Sequence, residues 1–281
     1  MARIYHLARE NISNRMKITD SYSVWAIADL HLSFGTPNKK MDVFGKNWID
    51  WTEKIENNWH ALIKPQDLVL IAGDISWAMH IDELEPDLAW IDKLPGTKVM
   101  IRGNHDYWWK SRSKIEKLLP KSIHIIQNDI FNWNDLSIGG ARLWDTPEYN
   151  FGNCIQALNE DSTLFQTSQE EMENNEKIFA RELGRLEMSL KQLDPQAAYR
   201  IAMTHYPPIG ANLVSSRAST LLEQYHVNIC VFGHLHGINR AVPLFGEKNG
   251  IRYYLTACDY LDFKPLKLKL LSSERKTPSV I

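Results

Sequence analysis

Cysteine is scarce in this chain: Cys154, Cys230 and Cys258 are the only three in 281 residues. Their wide spacing supports neither a disulfide framework nor a Cys-based zinc site, and Cys230, inside an apolar run, reads as a small core residue. Basic charge is not in surplus either. Lys and Arg total 32 against 34 Asp and Glu, a net charge of −2, whereas nucleic-acid-binding surfaces usually leave a positive excess. No apolar run approaches the ~20 residues of a membrane span, and no signal-peptide core is present. A cytoplasmic protein without a membrane partner is therefore expected. Repeats, heptads, low-complexity tracts and composition shifts are missing as well. One large domain over residues 23–272 is expected, with an N-terminal extension at 1–22 and a C-terminal tail at 273–281.

What is present is a regular alternation. Compact apolar runs at 24–28, 67–72 and 97–101 read as buried strands, and the segments at 47–63 and 83–93 between them carry apolar residues at helical spacing. Strand and helix in turn imply parallel pairing. A short helix follows, ending by Leu119. The runs at 124–126, 130–133 and 136–138 are joined by Asn/Asp turns and suggest an antiparallel meander. Residues 145–168 look like a surface excursion beside the strand ends, and 169–193 like a long helix with Phe179, Leu183, Leu186, Leu190 and Leu193 on one stripe. Strands at 198–203 and 227–232 flank a helix at 217–225, and runs at 250–255 and 266–271 close the chain.

The strands end alike. Polar clusters follow five of them: Asp29-Leu30-His31, Gly73-Asp74, Gly103-Asn104-His105-Asp106, Thr204-His205 and Gly233-His234-Leu235-His236. The C-terminal edge of an open α/β sheet is where ligands bind. Asp29 and His31, like His234 and His236, are two apart, so on extended backbone each pair points to one side. A glycine before Asp74 allows a sharp turn that brings the carboxylate close to an ion. Five of the ten histidines fall in these clusters; His6, His60, His80, His124 and His226 do not. Any one cluster reads as a capped polar loop, but five in order do not.

Asp29, His31, Asp74, Asn104, His205, His234 and His236 are all metal-ligand types. Mixed imidazole and carboxylate suits manganese, iron, zinc or cobalt better than calcium or magnesium. Seven side chains are too many for one ion and about right for two that share a carboxylate. Two divalent cations against two carboxylates leave positive charge over, which favours an anionic substrate.

In this order, Asp-x-His, Gly-Asp, Gly-Asn-His-Asp, a later His and Gly-His-x-His resemble the calcineurin-like metallophosphoesterases, over Asp29 to His236. The resemblance implies a four-layer αββα sandwich of two mixed sheets and two divalent metal ions with a bridging hydroxide. It implies Asp29, His31 and His236 on one ion, Asn104, His205 and His234 on the other, and Asp74 between them. His105 matches the family's histidine that faces the substrate and protonates the leaving oxygen. The substrate implied is a phosphorylated small molecule or nucleotide. Phosphoprotein phosphatases of this superfamily continue Gly-Asp as Asp-Arg-Gly; here it runs Gly73-Asp74-Ile75-Ser76, which argues against that activity. The chain is more similar to small bacterial phosphohydrolases. A phosphodiesterase acting on cyclic or linear nucleotides, and a binding protein that keeps the fold without catalysis, are the alternatives.

Overall fold

The computed structural model describes residues 22–155, 168–241 and 244–270. The expected N-terminal extension, save Tyr22, and the C-terminal tail lie outside the described residues. In chain order the elements are β1 (Val24–Ile27), α1 (Trp51–Leu62), β2 (Leu68–Ile71), α2 (Ile81–Lys93), β3 (Thr97–Met100), α3 (Arg112–Ile115), β4 (Ile123–Ile125), β5 (Ile130–Trp133), β6 (Leu136–Ala141), α4 (Gln169–Leu190), β7 (Tyr199–Thr204), α5 (Arg217–Gln224), β8 (Ile229–Phe232), β9 (Gly246–Lys248), β10 (Ile251–Leu255) and β11 (Leu266–Lys267). Two short 3-10 turns, Met41–Phe44 and Lys46–Trp48, precede α1.

The strands form two sheets, ordered β11-β1-β2-β3-β4 and β5-β6-β7-β8-β10-β9. In the first, β1 to β4 run parallel and β11 antiparallel; in the second, β6, β7, β8 and β10 run parallel between antiparallel edges. Alternation along each strand explains the stacking. Val24, Ala26, Ala28, Leu70 and Val99 meet Ile138, Ile201, Ile229 and Val231 between the sheets. The intervening Trp25, Ile27, Val69 and Ile71 pack instead with Ile55 and Trp59 of α1 and Leu84, Leu88 and Ile91 of α2. On the other side Ala202, Cys230 and Phe232 pack with Phe179, Leu186 and Leu190 of α4 and Leu222 of α5. Strands covered on both faces are mostly apolar, which is why β1, β2 and β8 read as unbroken runs. The result is the expected four-layer αββα sandwich with two mixed sheets.

The expected meander is corrected. β4 pairs parallel with β3, Val99 opposite His124, and belongs to the first sheet. The chain then crosses to the second sheet, where β5 and β6 form an antiparallel hairpin, Phe131 opposite Ile138. The physical reason is the apolar triplet: Ile123 and Ile125 sit in the helix-side core and Ile126 between the sheets. Such a strand is buried on both faces, which an outer hairpin strand is not. β9 is short, polar and partly exposed, so no apolar pattern marked it. The sheets join where β1 ends: the Ala28 amide donates to the Thr256 carbonyl (2.8 Å) and the Cys258 amide to the Ala28 carbonyl (3.0 Å). The described part of the 145–168 excursion packs beside the loop after β7, with the Tyr149 hydroxyl bonded to the Pro207 carbonyl (2.5 Å).

Candidate metal centre

All seven ligand-type residues come together at the C-terminal strand ends, in turns sharper than an extended chain would make. Asp29, His31, Asp74 and His234 have φ of 60°, 45°, 51° and 73°. The extended i, i+2 reasoning is therefore corrected: after β1, β2 and β8 the backbone enters the left-handed region within three residues of the strand. Holding non-glycine residues there costs about 1 kcal/mol or more each and is characteristic of functional sites. Gly73 has φ 93°, as its place before Asp74 suggested. Gly103 is required for space, since a Cβ there would collide with the carboxylate and backbone nitrogen of Asp74.

Asp74 stands in the middle. Its Oδ1 accepts the His105 amide (2.8 Å), while Oδ2 lies 3.4 Å from His205 Nε2 and 3.7 Å from His31 Nε2. On the His31 side, His236 Nε2 is 3.4 Å from His31 Nε2 and 3.6 Å from Asp29 Oδ1. On the His205 side, Asn104 Oδ1 is 2.6 Å from His205 Nε2 and 3.1 Å from His234 Nδ1. Asp29 also accepts the His234 amide at 3.0 Å, tying β1 to β8 across the sheets. Two triads have donor atoms all within 4.8 Å of one another: Asp29, His31 and His236, and Asp29, Asp74 and His205.

The ring nitrogens turned away from this cluster are held. His205 Nδ1 lies 3.0 Å from the Ala72 carbonyl and His236 Nδ1 lies 2.9 Å from Asp259 Oδ1. Such a partner fixes Nδ1 as the protonated nitrogen and leaves Nε2 to donate its lone pair. Among the described residues His31 has no such partner: its Nδ1 is buried and unbonded there, and its ring stacks on Trp77 at 5.0 Å. The His234 ring lies against Tyr206 at 3.9 Å.

The electrostatics of these side chains by themselves are those of a site short of positive charge. Asp29 and Asp74 are 0% and 1% exposed, and among the described residues no Lys or Arg pairs with either; imidazoles do. Burial pushes the Asp29 carboxyl up to about 7 against the pull of His236. Burial also opposes charge on Asp74, but His205 outweighs it and holds that carboxyl well below the usual range. Burial takes His31 and His234 down to about 3. It works against charged His205 and His236 too, yet Asp74 lifts the first to about 9 and Asp29 with Asp259 lifts the second to about 9.

His105 sits at the edge, half-buried, its ring 4.7 Å from Trp77 and 6.2 Å from the exposed Tyr107. Asp106 does not touch the His105 ring. Its oxygens accept the Gly103 (2.7 Å), Ile75 (2.9 Å) and Ser76 (3.2 Å) amides and the Trp108 indole N–H (3.1 Å). Trp48, Trp59, Trp108 and Trp109 are buried in the core, as packing residues should be. His60, His80 and His226 are exposed and His124 half-buried, all apart from the centre. Asp259 was not singled out in the sequence. The available signal was positional, since Cys258-Asp259 follows β10, which runs parallel to β8 and so ends at the same sheet edge.

Among the described residues no helix is long and apolar enough to cross a membrane. No curated protein matches the sequence. Among solved structures, a phosphopantetheinyl hydrolase from Mycobacterium tuberculosis is 14% identical, with 92% of this chain and 98% of that one covered and a TM-score of 0.46. A protein of unknown function from Aquifex aeolicus is 16% identical, with 88% and 96% covered and a TM-score of 0.44. The family model for calcineurin-like phosphoesterases matches residues 22–237, from Tyr22 at the edge of β1 to the glycine after His236, and on that match the chain belongs to the calcineurin-like phosphoesterase family of metal-dependent hydrolases.

Proposed function

We propose that the protein hydrolyses a phosphoester of a small molecule with two divalent cations held at this centre. Asp29, His31 and His236 would hold one, Asn104, His205 and His234 the other, with Asp74 shared. The observation that carries the reading is the Asp74 carboxylate, buried between His31 and His205 with no Lys or Arg beside it among the described residues. Buried carboxylates without a cation are costly, and imidazole nitrogens 3.4 Å apart, as in His31 and His236, suit a cation better than each other. The mixed nitrogen and oxygen donors fit manganese, iron, zinc or cobalt. Bound there, such ions acidify water toward neutral pH and neutralise phosphoryl charge.

The residues supply the rest. Asp259 and the Ala72 carbonyl orient the His236 and His205 rings by their Nδ1 atoms. His105 has its amide fixed on Asp74 and its ring at the half-open edge, where it can hand a proton to the leaving oxygen. Burial lowers the His105 pKa, which makes it a readier donor once protonated. The nucleotide diesterase reading needs aromatics to stack on a base; Trp108, Trp109 and Tyr206 are buried, and Tyr107 is exposed. Trp77, the other aromatic beside His105, is already stacked on His31, with Lys39 Nζ 5.6 Å from its ring centre. That leaves little platform for a base, so we favour a monoester.

Purified protein stripped with chelator and reconstituted separately with manganese, iron, zinc and cobalt tests this against phosphomonoesters, diesters and nucleotides. Metal-dependent turnover of monoesters is expected. Failure of every metal on every ester would leave only the binding-protein reading.

A further inference from the structure

One cavity uses none of the groups above. It is about 260 Å³, and its walls include Arg102 after β3, Lys110, Gln127 after β4, Arg142 after β6, and Glu182 and Arg185 of α4. Its charge is unbalanced. Four cations line it with one carboxylate, Glu182, which is 1% exposed and already occupied: Arg142 Nη2 lies 3.1 Å and Arg185 Nη1 2.6 Å from its Oε1. Asp106 is the other carboxylate facing Arg102, and four N–H groups take up both of its oxygens. The Nε atoms of both Arg102 and Arg142 are buried without a hydrogen-bond partner among the described residues. The Arg142 guanidinium lies 4.5 Å from the centre of the Trp144 ring, which orients its plane.

Buried guanidinium N–H groups are rarely left unpaired. Planar forks gathered around one space select an acceptor with several oxygens. We propose that this cavity is a second anion site, which takes the phosphate or carboxylate group of a small molecule between Arg102 and Arg142. It does not depend on the metal chemistry, but it shares chain with it. The Arg142 carbonyl accepts the amides of His205 (3.1 Å) and Tyr206 (3.0 Å), and Arg102 lies two positions before Asn104. The occupant is therefore either a second acidic group on the substrate or a separate anion that steadies the two segments.

Arg102→Gln is the informative variant, because Glu182 keeps both of its arginine partners. The probe is sulfate, titrated by calorimetry at constant ionic strength into the full-length protein stripped of metal. The parent is expected to bind sulfate, and the variant to bind it at least about tenfold more weakly, the cost of one charged hydrogen bond. Without sulfate the variant should melt no lower than the parent, since a crowded cation has been removed. Absence of sulfate binding to the parent, or equal binding to both proteins, would overturn the proposal. With metals restored, a loss of kcat/KM confined to a bisphosphorylated sugar, with phenyl phosphate unaffected, assigns the site to the substrate. A sulfate effect on phenyl phosphate turnover that the variant lacks assigns it to a separate effector. A protein inactive on every ester would sink the proposed hydrolase and leave the calorimetry to decide this site.

Discussion

Replacing Asp106 by asparagine tests how the centre is held up rather than how it reacts. The carboxylate is 0% exposed and accepts four N–H groups, three on Oδ1 and the Gly103 amide on Oδ2. An amide keeps one acceptor oxygen. Placed toward Ile75, Ser76 and Trp108 it saves three bonds but turns an NH₂ on the Gly103 amide, donor against donor. Orphaning that N–H costs about 1–3 kcal/mol, and losing charge assistance in the others adds roughly 0.5 kcal/mol each. Burial and the neighbouring Asp74 push the Asp106 carboxyl up to about 6, so removing a strained charge returns part of this. The net loss should be about 3 kcal/mol, or a fall of roughly 6–12 °C in melting temperature for a domain of this size. Asp106→Ala, which orphans all four donors, should fall further. Calorimetric melting of the three metal-free proteins at one pH measures the order. Two outcomes would refute the reasoning: an Asn variant melting within ~2 °C of the parent, or an Ala variant milder than the Asn one.

Asp74→Asn should lose metal from both halves of the centre and nearly all turnover; two metals per chain by elemental analysis in an active variant would remove Asp74 from the shared position. His105→Ala should keep its metals and its fold while turnover of an alkyl phosphate falls about 10²–10⁴-fold, with a much smaller fall on a nitrophenyl ester whose anion leaves unaided. Loss of metal would instead make His105 a ligand. Metal uptake should be pH-dependent in a definite sense. His205 and His236 stay protonated to about 9 and Asp29 to about 7 in the metal-free protein, and all three must give up protons to bind metal. Affinity should then weaken as pH falls below 9, with between about two and three protons released per chain at pH 7. A pH-stat titration that detects no protons would contradict this.

The strand ends were legible because burial on both faces forces apolar runs, so a sudden Asp29 or His205 stands out against its strand. Sheet membership was not legible. Ile123, Ile125 and Ile126 are apolar in either sheet, and which one they join depends on partners such as Val99 that lie distant in the chain. Nor was the local geometry. Left-handed backbone at Asp29, His31, Asp74 and His234 coincides with tertiary contacts, among them the Asp29–His234 hydrogen bond, that no local pattern announces. Asp259 escaped notice because its role belongs to His236, 23 positions earlier, and a single Asp after a strand carries no spacing. Asp106 was visible, but its partners Ile75 and Ser76 belong to another strand's loop.

His31 and His236 face each other across the centre with 205 positions of chain between them. A ribosome adding roughly 5–20 residues per second therefore delivers the second about 10–40 s after the first. For most of that interval β1, β2 and β3 carry Asp29, His31, Asp74 and Asn104 without the imidazoles of the second sheet. The nascent chain can display half a centre but cannot close one. If the proposed centre holds ions, their capture would have to follow synthesis of the second sheet, when all seven side chains are present.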